Sequence, residues 1–354
     1  MQGRSYRSFR SSCRVAVIGA LVASLPLVGG LPAVAADAPT SVTPDAVATD
    51  GLASDAVASE ATTGSAATGR AAARSAARSA DAELESRVAA AIRRALGARA
   101  DDVSVRLHDR RTNVTVDHNA SMRNCTGSIV KVLVLVALVR ERREDGRRLS
   151  ANDRSLARRM ITMSDNDATS TLLSRVGGRS GLQRVAQKLG MKNTSVEWSW
   201  GRTVTTAADQ ALLIDAIVDG DAFTDRDDQA YVLDLMGKVI PEQAWGVGSV
   251  PDAADVALKN GWVPLTPRGW RVNSIGHVTG PGRDYTLAML SYDNATMDQG
   301  VRVLDAVSKA VYQTVGSAGK SSAGGAQQAA PAVPTGAPDW LLRPGMAFPP
   351  YPAW

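Results

Sequence analysis

Ser128 and Lys131 stand three residues apart at the start of GSIVKVLVLVALV, residues 127–139. Read as a helix, this stretch is apolar on every side and belongs in a core. An ammonium group there is costly unless something pairs with it. The chain has seven lysines against thirty-three arginines, so lysine is the rarer cation. The i, i+3 spacing puts Ser128 and Lys131 on one face of the helix start. A lysine in apolar surroundings has its pKa pushed down and can serve as a base. A serine hydroxyl becomes a nucleophile once a neighbouring base takes its proton, and a helix N-terminus favours the negative charge that develops on its oxygen. The chemistry implied is acyl transfer through a covalent serine intermediate. The ordinary alternative is a lysine snorkelling from a helix start. Spacing alone does not decide, because SAGK at Ser317–Lys320 repeats it in a low-complexity tail without any apolar run.

Two more groups have residue types suited to the same reaction. Ser164, Asp165 and Asn166 lie between two helical patterns in ITMSDNDATSTLL; such residues are also the preferred helix N-caps. Lys259, Asn260 and Gly261 follow a strand pattern in VALKNGWV, where Asn-Gly is equally a strong hairpin signal.

Taken together, the three groups have the order and contexts of the S-x-x-K, S-D-N and K-T-G signature. The chain thereby resembles the class A β-lactamases and the wider penicillin-recognising serine hydrolases from about Asp81 to Val315. RSLARRMITMSDNDA is similar to that family's helix leading into S-D-N, and TVTTAADQALLI to the segment after its Ω-loop. The resemblance implies that Ser128 is the acylated nucleophile, Lys131 the activating amine and Ser164 the proton relay to the leaving nitrogen. It implies that Asn166, Lys259, Asn260, Gly261 and Trp262 bind substrate, with Lys259 steering the substrate carboxylate and interacting with Ser164. Asp165 would fix its turn, the backbone N–H groups of Ser128 and Trp262 would form the oxyanion hole, and Arg268 or Arg271 would assist the carboxylate.

Three departures from that pattern stand out. The interval from Ser128 to Ser164 is short, which suggests a trimmed helical part and a more open cleft. The third motif reads K-N-G, and Asn260 can serve a carboxylate only through its amide N–H. Gly190–Thr206, GMKNTSVEWSWGRTVTT, is shorter than a normal Ω-loop and lacks its E-x-x-L-N pattern. Glu197, between Trp198 and Trp200 in sequence, is the acid left there as a surrogate deacylation base.

The surrounding elements must hold these groups. DAELESRVAAAIRRAL, residues 81–96, has helical periodicity, and VSVRLHD with NVTVDH reads as an antiparallel strand pair. Helical patterns run from about Gly127 to about Gly237, strands return in DVALK, RVNSIGHV and YTLAMLSY, and a last helix spans about Met297 to Val315. Strands at both ends with helices between predict an α+β fold, an antiparallel sheet flanked by helices plus an inserted all-helical subdomain. A site is then expected in the cleft between the parts.

Outside residues 81–315 the composition changes. The first fourteen residues hold Arg4, Arg7, Arg10 and Arg14, and an apolar stretch to Ala35 is broken by Pro26, Gly29, Gly30 and Pro32. Residues 1–35 are therefore expected to be a cleaved signal peptide, implying export to the extracellular space or cell wall and no stable membrane insertion afterwards. Residues 36–80, rich in Ala, Ser and Thr, and 316–354, rich in Gly, Ala and Pro, read as disordered linker and tail. The signal carries much of the +5 formal charge, so no nucleic-acid partner is indicated. Cys125 remains alone after Cys13 leaves. His108, His118 and His277 lie on strands and suggest neither metal nor triad. The expectation is a monomeric serine hydrolase without cofactor or metal, acting on a β-lactam through acyl-Ser128. The alternatives are a slowly deacylating peptidase or penicillin-binding protein on a peptidoglycan-type peptide, an esterase, or a non-catalytic wall-binding homologue.

Overall fold

Apolar residues alternate along the strand segments, and the sheet's two faces are buried against two different sets of helices. The computed structural model describes residues 60–317 except Thr224 and Ala253. The proposed signal, residues 36–59 of the linker and the tail from 318 lie outside the described residues.

In chain order the elements are helix α1 (Glu60–Leu96), strands β1 (Val103–Asp109), β2 (Val114–His118) and β3 (Asn124–Cys125), and helices α2 (Val130–Glu144), α3 (Ala151–Thr162), α4 (Asn166–Arg175) and α5 (Gly178–Lys188). Strand β4 (Val204–Thr205), helices α6 (Ala207–Asp219) and α7 (Arg226–Met236), strands β5 (Asp255–Pro264), β6 (Trp270–Gly280) and β7 (Arg283–Asn294), and helix α8 (Met297–Ser317) follow. Five strands form one sheet in the order β2-β1-β7-β6-β5 with antiparallel neighbours, and β3 pairs separately with β4. The expected α+β architecture is present, with the chain's first and last strands meeting as β1 and β7.

The period-two rule separates the faces. Val105, Leu107, Val272, Leu287 and Met289 pack with Leu84, Val88 and Ile92 of α1 and Leu304 and Val311 of α8. Ile275, Ala288 and Leu290 point the other way, into a second core with α2, α3 and α6. Within that core Val130 to Val139 of α2 are buried on every side, as the apolar run demands.

Two boundaries differ from expectation. The linker was expected to extend to residue 80 and the helix to begin at Asp81, yet α1 begins at Glu60. Residues 72–80 are exposed and the first buried side chain is Leu84. Alanine and arginine supply helix propensity without a packing partner there, so the helix continues past the point where the core ends. At the other end α8 runs through Ser317, two residues into the expected tail. The Asn260-Gly261 pair makes no hairpin; β5 continues to Pro264, and the chain turns between Leu265 and Gly269.

This division of α1 predicts unequal substitutions. Ile92→Ala, in the core, should cost about 2–5 kcal/mol, and Arg78→Ala, on the exposed extension, less than about 0.5 kcal/mol. Urea denaturation of both variants checks this, and equal losses would contradict it.

Candidate active site

The turn carrying Ser128 is set by backbone contact with the sheet edge. Gly127 has φ +53°, and a Cβ on it would lie 2.8 Å from the nitrogen of Trp262. A Cβ on Gly261 would lie 2.5 Å from the Ser128 nitrogen and 2.7 Å from the Thr126 oxygen. Glycine on both sides lets β5 and the Ser128 turn touch main chain to main chain. β5 is an edge strand, so alternate backbone N–H groups point away from β6 toward this turn. From β6, Asn273 donates to the carbonyls of Cys125 at 2.8 Å and Thr126 at 3.0 Å. The Thr126 N–H is held by the Thr203 carbonyl at 2.8 Å. Asn273 was not singled out in the sequence, where it is one polar residue inside a strand pattern.

Lys131 is completely buried on the first turn of α2. Its ammonium donates to the Ser164 carbonyl at 2.6 Å, the Ser164 hydroxyl at 3.0 Å and the Asn166 side-chain oxygen at 2.8 Å. The first and second motifs therefore converge on one nitrogen. Burial, aided by the positive charge of Lys259, holds the Lys131 amine well below the ordinary lysine value, with Asp165 pulling the other way. Ser164 has φ +59°, a conformation that side chains other than glycine rarely adopt. It costs about 1–3 kcal/mol. Asp165 is the N-cap of α4, accepting from the Ala168 N–H at 2.9 Å and pairing with Arg159. Asn166 faces Lys131 with its oxygen, so its N–H groups remain for a ligand carbonyl.

The third motif divides between the two faces of β5. Lys259 is fully buried, burial pushes its ammonium down to about 7, and it donates to the Asn260 carbonyl at 2.9 Å. Among the described residues the expected Lys259–Ser164 hydrogen bond is not formed. Asn260, expected to bind substrate, points into the opposite core, where its amide donates to the carbonyls of Gln243 at 2.7 Å and Trp245 at 2.8 Å. Period-two alternation requires this once Lys259 faces the helical part. Trp262 puts its ring on the Asn260 side, 6.0 Å from Trp245, and brings only its backbone to the Ser128 turn.

The arginine expectations also change. Arg271 is buried against Asp293, its guanidinium 5.0 Å from the Tyr292 ring centre, so it is committed to β6–β7 rather than to a ligand. Arg268 is exposed in the turn after β5.

Glu197 is half-buried, and its backbone N–H donates to Thr203 at 3.3 Å. The groups bonded to the Lys131 ammonium are Ser164 and Asn166, and Glu197 is not among them. Trp200 stands beside the amine. It is buried, its ring centre lies 4.9 Å from the Lys131 nitrogen, and its indole N–H donates to Ser170 at 3.4 Å. Ser128, Ser199, Trp200, Gly201, Arg202, Trp262 and Val263 line a small pocket of about 10 Å³. The three histidines each have a local partner: His108 with Asp215, His118 with the Ala100 carbonyl, His277 with Asp284.

Comparison with known proteins agrees with this fold. A family model described as the β-lactamase enzyme family matches residues 141–315, which include Ser164, Asn166 and Lys259 but begin after Lys131. The crystal structure of TLA-3 extended-spectrum β-lactamase superposes with a TM-score of 0.60 at 17% identity, over 66% of this chain and 99% of that one. A representative class A β-lactamase from Bacteroides cellulosilyticus DSM 14838 gives 0.59 at 18% identity, over 66% and 99%. The structure of PBP-A gives 0.54 at 21% identity, over 65% and 95%. No curated protein matches the sequence.

The main-chain contact at Gly261 has a measurable consequence. In Gly261→Ala the methyl group meets backbone atoms of Thr126, Ser128 and Ile129, which cannot swing aside. A loss of about 1–3 kcal/mol is expected. Hydrogen exchange should be faster at the Ser128 amide than at amides of α8, and uniform protection would contradict this.

Proposed function

Starting from a chain that is class A β-lactamase-like in family match and fold, we propose that Ser128 attacks the carbonyl of a β-lactam or related amide and holds the acyl group for long periods. The observation carrying this reading is the buried amine of Lys131, bonded to Ser164 and Asn166 one helical turn from Ser128.

The chemistry follows from the groups present. A Lys131 amine that burial holds well below the ordinary lysine value gives up its own proton more readily and can take the Ser128 proton. The Ser128 oxygen then bonds to the carbonyl carbon, and the oxyanion forms where the Ser128 and Trp262 backbones meet. Ser164 accepts from charged Lys131, and its own hydroxyl proton can pass to the departing nitrogen as the C–N bond breaks. Asn166 offers its N–H groups to the acyl side chain, and Lys259 contributes the positive charge that keeps Lys131 from holding its proton.

Release of the acyl group needs an activated water. The loop acid, Glu197, makes no hydrogen bond to the Lys131 amine, over which the Trp200 ring lies. This arrangement supports acylation followed by slow release, the behaviour expected of a penicillin-binding protein more than of a fast lactamase. The Arg-rich start and the apolar run to Ala35 support export, so the substrate would be met outside the cytoplasm.

Incubation with benzylpenicillin followed by intact-mass measurement tests the proposal. One adduct per chain is expected, mapping to Ser128, outlasting removal of free ligand and absent from Ser128→Ala. Ser164→Ala should slow labelling by about 10²-fold or more. No adduct and no hydrolysis of a chromogenic cephalosporin would overturn acyl transfer; fast turnover without an adduct would overturn slow release.

A further inference from the structure

We propose that Arg202, from the short loop beside Ser128, is the residue that recognises the carboxylate of the acyl donor. This inference rests on the acyl-Ser128 reading and supplies the specificity determinant that reading lacks.

The argument starts from the cations around the site. Lys259 has no exposed surface, and its ammonium already donates to the Asn260 carbonyl. Both amide N–H groups of Asn260 are used by main-chain carbonyls on the far side of the sheet. Arg271 is spent on Asp293 and the Tyr292 ring. An incoming carboxylate would displace the partners of Asn260 or Arg271, and the full burial of Lys259 keeps it from that ammonium.

Arg202 differs on each count. It ends the short helical turn Trp200–Arg202, is exposed, and lines the same pocket as Ser128 and Trp200. The carbonyl of the next residue, Thr203, accepts from the Thr126 N–H at 2.8 Å, which sets Arg202 beside the turn that carries Ser128. Among the described residues its side chain has no hydrogen bond or ion pair; Glu197, the acid of the same loop, lies beyond ion-pair distance. A planar guanidinium with five donors suits a carboxylate, which it binds through two parallel N–H···O bonds. The loop holds it in place: the Arg202 N–H donates to the Ser199 carbonyl at 2.8 Å, and the following Thr203 to Trp200 at 3.1 Å.

The test compares a penicillin carrying its free carboxylate with the methyl ester of the same penicillin, measuring the rate of adduct formation on Ser128 by intact mass. For the unaltered protein the acid should label faster than the ester, with the gap narrowing at high salt. In Arg202→Gln labelling by the acid should fall roughly tenfold, as expected for loss of a charge-assisted pair, while labelling by the ester stays unchanged. Arg202→Lys should recover part of the preference. An unchanged acid-to-ester ratio in Arg202→Gln, or one lost only in Lys259→Met, overturns the proposal. Absence of labelling by either ligand on the unaltered protein would instead overturn the acyl-Ser128 reading.

Discussion

The constraint on which the site depends is the burial of the Lys131 ammonium. An apolar helix such as α2 must enter a core, and it carries this nitrogen in with it. A buried charge without partners costs several kcal/mol, so the surrounding chain has to present acceptors. It does so from one turn, where the Ser164 carbonyl, the Ser164 hydroxyl and the Asn166 amide oxygen converge. Bringing them there forces Ser164 into the left-handed region, and the Asp165 cap and its Arg159 partner hold the strained turn closed. The α3–α4 junction thus has the shape that satisfying one amine requires.

Ser128 is placed by a different force. Its turn is held by carbonyl contacts to Asn273 and by close main-chain approach at Gly127 and Gly261. The sheet edge fixes Ser128, the helical part fixes the Lys131 amine, and the two are joined because the Ser128 turn, Gly127–Ile129, runs directly into α2. Trp200 joins the assembly from the loop side, its ring centre 4.9 Å from the Lys131 nitrogen.

Much of this was legible in the sequence because the groups of the candidate site break local patterns. Lys131 interrupts an apolar run, Ser164-Asp165-Asn166 interrupts two helical stretches, and Lys259 sits in a strand otherwise suited to a core. The five-stranded sheet was legible from period-two alternation. What escaped notice depends on tertiary direction. Asn260 was placed at the site by its motif, although alternation with Lys259 already sends its side chain to the other face. Arg271 looked available until its strand neighbour Asp293 came within 2.5 Å. Trp200 and Asn273 carry no local signal, since their partners lie 69 and 147 residues away in the chain. The start of α1 was misplaced because exposed alanine-rich sequence gives propensity but no periodicity.

The central claim, that burial leaves the Lys131 amine weakly basic, is open to direct measurement. With seven lysines in the chain, side-chain nitrogen-15 labelling and a Lys131→Gln variant identify its resonance in a pH titration. The account predicts that Lys131 loses its proton well below the ordinary lysine value near 10.5. A Lys131 resonance that titrates with the exposed lysines would contradict it.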